Sequence, residues 1–360
     1  PRWLSTGAAI TAAVLLSAVL FACTSESSSD ASDPAASSPT AAQPADPSLC
    51  DDDDGGLQLP EGFCATVVAD SLGPTRHLAV DGDGDVYAAV REVTNGGGIV
   101  ALRDTDGDGK ADVQEYFGDT GGTGIGLHKG HLYFGPDTGV WRYAFEGDEL
   151  VPSGEKEVIV TGFPEQNQHA VKPFAFDGNG QMYVNVGAPS NACQEQMRTP
   201  GSEGQDPCPQ LERQAGIWAF ADDAPGQTQM GDGTRYATGI RNAVAITWND
   251  AADNLYVMQH GRDQLHSLFP DLYTQKESAV LPAEEFFKVD EGDAFGWPYC
   301  YYDGAFDDQK ELAPEYGGDG SAVGRCDQFE DPLVAFPGHW APNGLIFYDG
   351  EQFPEKSRNG

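Results

Sequence analysis

The chain has 360 residues and 39% apolar composition, enough to bury the core of one large β domain or two ordinary ones. Its 57 acidic residues against 20 basic ones give a formal net charge of −37. That charge weighs against attraction to nucleic acid phosphates or anionic lipid headgroups, and leaves neutral or cationic ligands, or anions captured by a local basic pocket.

At the N-terminus Arg2 precedes the apolar run GAAITAAVLLSAVLFA, Gly7 to Ala22, which is too short to span a bilayer comfortably and reads as the core of a signal peptide over residues 1–22. The ending LFAC resembles a lipoprotein cleavage box. It predicts lipidation of Cys23 and an exported chain anchored on the outer face of a bacterial membrane, in the periplasm or at the cell surface, with an ordinary signal peptide cut nearby as the alternative. Residues 23–48 are rich in Ser, Ala, Pro and Asp and predict a disordered tether, with the folded domain over 49–360. The chain does not open on Met, so its start is expected to be incomplete. With Cys23 set aside, six cysteines remain, an even number for an oxidising compartment. Sequence neighbours suggest Cys50 with Cys64, Cys193 with Cys208 and Cys300 with Cys326, one of about fifteen pairings.

From about Leu59 onward one unit recurs: an apolar run, an Asp/Gly/Asn turn, and a second apolar run holding an aromatic residue. The copies are HLAVDGDGDVYAAV from His77, GLHKGHLYFG from Gly126, PFAFDGNGQMYVNVG from Pro173, AVAITWNDAADNLYVMQHG from Ala243 and GLIFYDGEQFP from Gly344. Each predicts a β-hairpin. The matching aromatics Tyr87, Tyr133, Tyr183, Tyr256 and Phe353 lie 46, 50, 73 and 97 residues apart. The first two intervals suit one propeller blade, and the longer two each contain a cysteine pair, as pinned insertions would. An all-β propeller is therefore expected, with a β-sandwich as the alternative. Five units ending at Gly360 do not suffice to close a ring, so the natural protein is expected to continue.

Between the first two hairpins, DTDGDGKADVQE has the spelling of a twelve-residue calcium loop. Asp104, Asp106, Asp108, Lys110, Asp112 and Glu115 stand at the ligand positions, Lys110 through its carbonyl, and Gly109 stands at the turn. A strand, GGGIVALR, precedes it and no amphipathic helix flanks it, which excludes a helix-opening switch. A static loop remains, holding calcium or forming a solvated Asp/Gly turn.

No nucleophile elbow, phosphate-binding loop, HExxH or CxxCH stands in the chain. His169, in NQHAVKPF, precedes a hairpin and is a residue type suited to general-base work near neutral pH, although a solvated loop histidine fits its position as well. Arg241 and Asn242 precede another strand in TGIRNAVAITW, where a turn Asn beside an exposed Arg is the plainer reading.

These segments, with LPEGFCATVVADSLGPTRHLAVDGDGDVYAA, FGWPYCYYD and APNGLIFYDGEQFP, resemble the glucose/sorbosone dehydrogenases over nearly the whole mature chain. The resemblance implies a six-bladed propeller, pyrroloquinoline quinone (PQQ) and calcium as cofactors, His169 as catalytic base, and Arg241 and Asn242 at the quinone. VMQHGRDQL resembles the stretch whose carbonyls ligate the active-site calcium, which implies His260 and Gly261 as ligands with Gln259 beside the cofactor. The glucose enzymes read Gln-Gly-Pro there and this chain reads Gln-His-Gly. His339 and Trp340, in GHWAPNGLIFY, correspond to the mouth of the site and a substrate contact. The family's later cationic quinone contacts lie beyond the segment that matches Gly360.

The implied activity is oxidation of a sugar, sugar aldehyde or related alcohol by hydride transfer to PQQ, with a separate electron acceptor and no membrane contact beyond the lipid anchor. A non-enzymatic calcium-stabilised propeller that binds carbohydrate or protein, and a calcium-dependent lactonase, are the alternatives.

Overall fold

The turns of the repeated hairpins show how the chain builds its strands. In DGDGD, Asp81 Oδ1 accepts the backbone N–H groups of Asp83 and Asp85, each at 2.9 Å, and Gly84 takes a φ of +96° that other residues resist. The same device recurs in DGNGQ, where Asp177 Oδ1 accepts from Asn179 at 2.7 Å and Gln181 at 2.9 Å. The protein is seen in a computed structural model that describes residues 49–350 and 352–354. The expected signal peptide, Cys23 and the tether lie outside the described residues.

Four antiparallel sheets follow in chain order. The first blade runs β1 (Thr75–Val80), β2 (Val86–Thr94), β3 (Gly97–Arg103) and β4 (Val113–Phe117). The second runs β5 (Gly124–His128), β6 (His131–Gly135), β7 (Val140–Ala144) and β8 (Glu157–Thr161). The third contains β9 (Phe174–Phe176), β10 (Gln181–Val186), β11 (Gly216–Ala221) and β13 (Thr234–Thr238). The short β12 (Gln227–Thr228), which precedes β13, pairs in parallel with β8 at the outer edge of the second blade. The fourth blade holds β14 (Ala243–Asn249), β15 (Asn254–Gln259), β16 (Glu284–Val289) and β19 (Val334–Phe336), with the ribbon β17 (Cys300–Asp303) and β18 (Gln309–Leu312) inserted before its last strand. Helices are confined to short turns, including α1 (Leu265–Leu268) and α2 (Gln275–Ser278). Among the described residues no helix is long and apolar enough to cross a membrane.

The apolar cores lie between the sheets, which is what makes the arrangement a propeller. Tyr87, Ile99 and Ala101 of blade one pack with Leu132, Phe134 and Tyr143 of blade two. Tyr133, Val140 and Ile159 of blade two meet Phe174, Met182 and Trp218 of blade three. Tyr183, Ile217 and Ala237 of blade three meet Ile246, Val257 and Phe287 of blade four. The recurring tyrosine at the second strand crosses each seam. The Tyr87 hydroxyl donates to the Leu150 carbonyl at 3.0 Å and that of Tyr133 donates to the Asp222 carbonyl at 2.7 Å, while the Tyr183 ring stacks 5.6 Å from Trp248. The first strands of successive blades touch in order, β1 with β5, β5 with β9 and β9 with β14. They line a cavity of about 670 Å³ together with residues 343–346.

The all-β propeller expectation holds, but the described residues form four blades where six were expected. The fifth hairpin, GLIFYDGEQFP, makes no strand: Ile346 is 82% exposed, and no further strand among the described residues offers it a ladder. The three expected disulfides are formed, Cys50–Cys64, Cys193–Cys208 and Cys300–Cys326. The second pins the insertion between β10 and β11, and the third ties the ribbon to the loop before β19.

Tyr87 is fully buried, and Tyr87→Phe strands the Leu150 carbonyl across the seam. The substitution is expected to cost about 1–2 kcal/mol in urea unfolding with an unchanged m-value. A midpoint equal to wild type would show that the hydroxyl does not bind the two blades together.

Candidate active site

The loops entering β9 and β14 meet at one end of the seam between blades three and four. His169 sits in the first with φ +51°, a left-handed conformation unusual for a residue with a side chain. Gln166 holds this turn, its Nε2 lying 2.8 Å from the Gln168 carbonyl and 2.9 Å from those of His169 and Gly187. His169 Nδ1 lies 2.6 Å from the Ala188 carbonyl, which can only accept. In the neutral ring the proton therefore resides on Nδ1, and Nε2 keeps its lone pair. Burial, aided by the charge of Arg241, lowers the imidazole pKa to about 4 against the opposing bond to Ala188. The Ala188 N–H in turn donates to the Arg241 carbonyl at 2.7 Å, so one residue links the two loops.

Gly187 makes that approach possible. A Cβ there would lie 2.6 Å from Asn242 Oδ1 and 2.6 Å from His169 Cβ. Asn242 is itself buried in the seam, its Oδ1 accepting from Asn185 Nδ2 at 3.2 Å and its carbonyl accepting the His260 N–H at 2.8 Å.

Arg241 is 3% exposed and spends all five of its side-chain N–H groups on this protein. Nε donates to the Asn191 carbonyl at 3.2 Å. Nη1 donates to the His260 and Gly261 carbonyls at 3.3 and 2.8 Å. Nη2 donates to Asn191 Oδ1 and Asp263 Oδ2, each at 3.1 Å. Burial lowers its pKa to about 10, with Asp263 opposing. Burial alone would raise the Asp263 carboxyl, but Arg241 and Arg198 hold it below its usual range.

Gln259 is engaged at both ends beneath the site. Its Oε1 accepts the Arg241 backbone N–H at 2.6 Å and its Nε2 donates to Glu285, which is paired with Lys310. It supports Arg241 from below.

The segment after β19 crosses above. His339 Nε2 donates to the Ser278 carbonyl at 2.8 Å, leaving Nδ1 3.9 Å from Asp263 Oδ1. His260 Nε2 donates to the Pro342 carbonyl at 2.8 Å. Trp340 is 66% exposed and tilts 5.9 Å from Phe336.

Sequence patterns alone do not point to Asn191, Arg198, Asp263 or Lys172. Lys172 is fully buried, donates to the Ala170 carbonyl, and is lowered by burial to about 8; it fixes the turn from His169 to β9.

The calcium-loop spelling lies elsewhere, in the β3–β4 connection of blade one. Asp104, Asp106 and Asp108 bring one oxygen each within 4.8 Å of one another, and these carboxylates also accept backbone N–H groups of their own loop. Asp112 instead accepts from Thr105, and Glu115 pairs in β4 opposite Ala101, outside the cluster. The side chain of Lys110 forms an ion pair with Asp51 at 2.8 Å. Among the described residues one more carboxylate trio, Asp303, Asp307 and Glu311, converges on the ribbon.

The fit to the expected cofactors divides. The His260 and Gly261 carbonyls, Asn191 and Asp263 form an all-oxygen set of the kind calcium takes, but the Arg241 guanidinium fills it. Calcium does not fit these oxygens with Arg241 in place. A quinone bearing carboxylates does fit the chemistry of the rim. His169 keeps a lone pair on Nε2, and Arg198, whose side chain is 31% exposed, has a guanidinium that the protein has not saturated.

The profile of the family described as TrAA12-like matches residues 57–354. No curated protein matches the chain. Among solved structures, the holo form of the pyranose dehydrogenase PQQ domain from Coprinopsis cinerea is similar with a TM-score of 0.62 at 17% identity, over 78% of this chain and 69% of that one. A calcium structure of carbohydrate-active enzyme family AA12 from Trichoderma reesei is similar with a TM-score of 0.62 at 16% identity, over 79% and 73%. The apo form of the soluble aldose sugar dehydrogenase from Escherichia coli has a TM-score of 0.51 at 17% identity, over 80% and 79%. At these identities the likeness shows a shared fold.

NMR titration of His169 is expected to give half-protonation near pH 4 with the neutral ring protonated at Nδ1. Because the unfolded ring titrates near 6.5, this residue's contribution to stability is full above that value and is lost as pH falls through the window from about 6.5 to about 4. A midpoint at the ordinary histidine value would show that the ring is not held neutral by burial.

Proposed function

We propose that this chain, which belongs to the TrAA12-like family, is a quinoprotein oxidoreductase that oxidises a sugar, sugar aldehyde or related alcohol at His169. One observation carries the reading. A half-buried histidine, fixed through Nδ1 to Ala188 and kept neutral, keeps its Nε2 lone pair beside a cationic cluster. The family match and the sugar dehydrogenases among the similar structures support the substrate class.

Bound PQQ supplies the two-electron acceptor for the hydride. The chain's own residues do the rest. His169 Nε2 accepts the proton of the substrate hydroxyl as the adjacent C–H bond breaks and the carbonyl forms. The new imidazolium is stabilised through its Nδ1–H bond to Ala188 but opposed by burial and by Arg241, so the proton returns readily to water. Gln166 and Gly187 keep the ring in place. Arg198 is the residue that would hold a quinone carboxylate, and Trp340 offers a face to the sugar ring. The reaction centre of this proposal contains no calcium at His260 and Gly261. The Asp104, Asp106 and Asp108 loop is the place proposed for the calcium that the sequence spelling suggests. Electrons are proposed to leave to a separate acceptor.

Full-length protein supplied with PQQ and an aldose is expected to reduce an artificial acceptor, and His169→Asn should lower that rate by about 100-fold or more. In wild type kcat/KM should be level above about pH 5 and fall by half near pH 4. Undiminished oxidation by the variant would remove His169 from the mechanism. Acid release from a lactone without any acceptor would favour the lactonase.

We further propose that the enzyme acts outside the cytoplasm on a lipid anchor at Cys23, a reading supported by the LFAC box and by three disulfides. Cys23→Ala should move the protein from the membrane fraction to the soluble fraction of the expressing cells. An unchanged distribution would disprove the anchor.

A further inference from the structure

Arg198 lies on the insertion between β10 and β11, five residues past Cys193, whose bond to Cys208 fixes the loop. It takes φ +54° and turns its guanidinium toward His169's neighbours. Nη1 donates to Gln264 Oε1 at 2.5 Å. Nη2 donates to Asp263 Oδ2 at 3.1 Å and reaches Gln168 Oε1 at 3.5 Å. A guanidinium has five N–H groups, so Nε–H and one Nη1–H are left without a partner among the described residues. Arg241, by contrast, has none left.

Exposure points the same way. Arg198 and Arg241 share one carboxylate oxygen, Asp263 Oδ2. The nearby Arg262 is already matched by Glu315. The buried Glu284, whose Oε2 accepts the Gly261 N–H at 3.0 Å, also acts on Arg241, so three guanidiniums stand beside three carboxylates and exposure, not an excess of charge, sets Arg198 apart. The Arg241 side chain is 4% exposed and that of Arg198 is 31% exposed, so of the two only Arg198 can be reached from solvent.

We infer that Arg198, and not Arg241, is the cation that receives a carboxylate at the mouth of this site. The carboxylate belongs either to the quinone or to a sugar acid, and a planar guanidinium with two spare N–H groups suits both. The inference rests on the dehydrogenase reading only where the carboxylate is the quinone's.

Two probes separate the sources on the purified full-length chain: PQQ, followed by quenching of tryptophan fluorescence, and glucuronate against glucose, followed by calorimetry without cofactor. Arg198→Gln is expected to weaken binding of PQQ, of glucuronate, or of both by about tenfold while glucose binding and the melting temperature stay unchanged. Arg198→Lys should restore part of the loss, which a purely structural defect would not predict. Wild-type affinity for both probes in Arg198→Gln, or no binding of either probe to wild type, would overturn the inference. Should PQQ fail to bind wild type while glucuronate binding depends on Arg198, the dehydrogenase reading falls and the carboxylate site stands.

Discussion

A guanidinium taken almost wholly out of water needs an acceptor for each of its five N–H groups, and the surroundings of Arg241 are arranged to meet that need. The acceptors come from two separate stretches of chain: Asn191 on a disulfide-pinned insertion, and the His260–Asp263 segment that follows β15. Asn191 is fully buried and acts as the hub, since its side chain also accepts from the Asp263 N–H and its carbonyl also accepts from the Trp297 indole. Removing the guanidinium would leave these buried oxygens without their donors. The position of His169 follows from the same centre, because the residue that fixes its ring is hydrogen-bonded to the backbone of Arg241.

Much of the fold was legible because a propeller is built from local units. Four of the five hairpins read from the sequence are formed, and the tyrosines of the first three cross the seams between blades, where the core lies. The turn signals are chemical, as Asp81 and Asp177 show by bonding the backbone two and four residues on. The hairpin at Gly344 has the same spelling and forms no strand, since a strand also needs a neighbour, which its own residues do not specify. The six blades were an expectation from resemblance, and four are formed among the described residues.

The site was legible in a different way. His169, Arg241 and Asn242 were each unremarkable loop residues by spacing, and family resemblance singled them out; the fold brings all three to one seam. Their assigned partners were less transferable. Gln259 lies under Arg241, and the carbonyls of His260 and Gly261 face a guanidinium where a metal was expected. Arg198 and Asn191 could not have been found from sequence, because they reach the site from an insertion some forty to seventy residues away in the chain. The calcium-loop spelling illustrates the converse. Its first three carboxylates converge as written, but pairing of β3 with β4 takes Glu115 into a strand, and Thr105 occupies Asp112.

The contrast between a strongly acidic chain and an arginine with spare donors beside its histidine has a consequence for how anions arrive. An incoming carboxylate is repelled by the summed field until it comes within hydrogen-bonding reach of Arg198. Dissolved ions attenuate interactions beyond about 10 Å far more than contacts at 3 Å. Adding salt therefore weakens the barrier more than the capture, and association of a negatively charged ligand with this protein should quicken with ionic strength over the range where most charge-assisted encounters slow down.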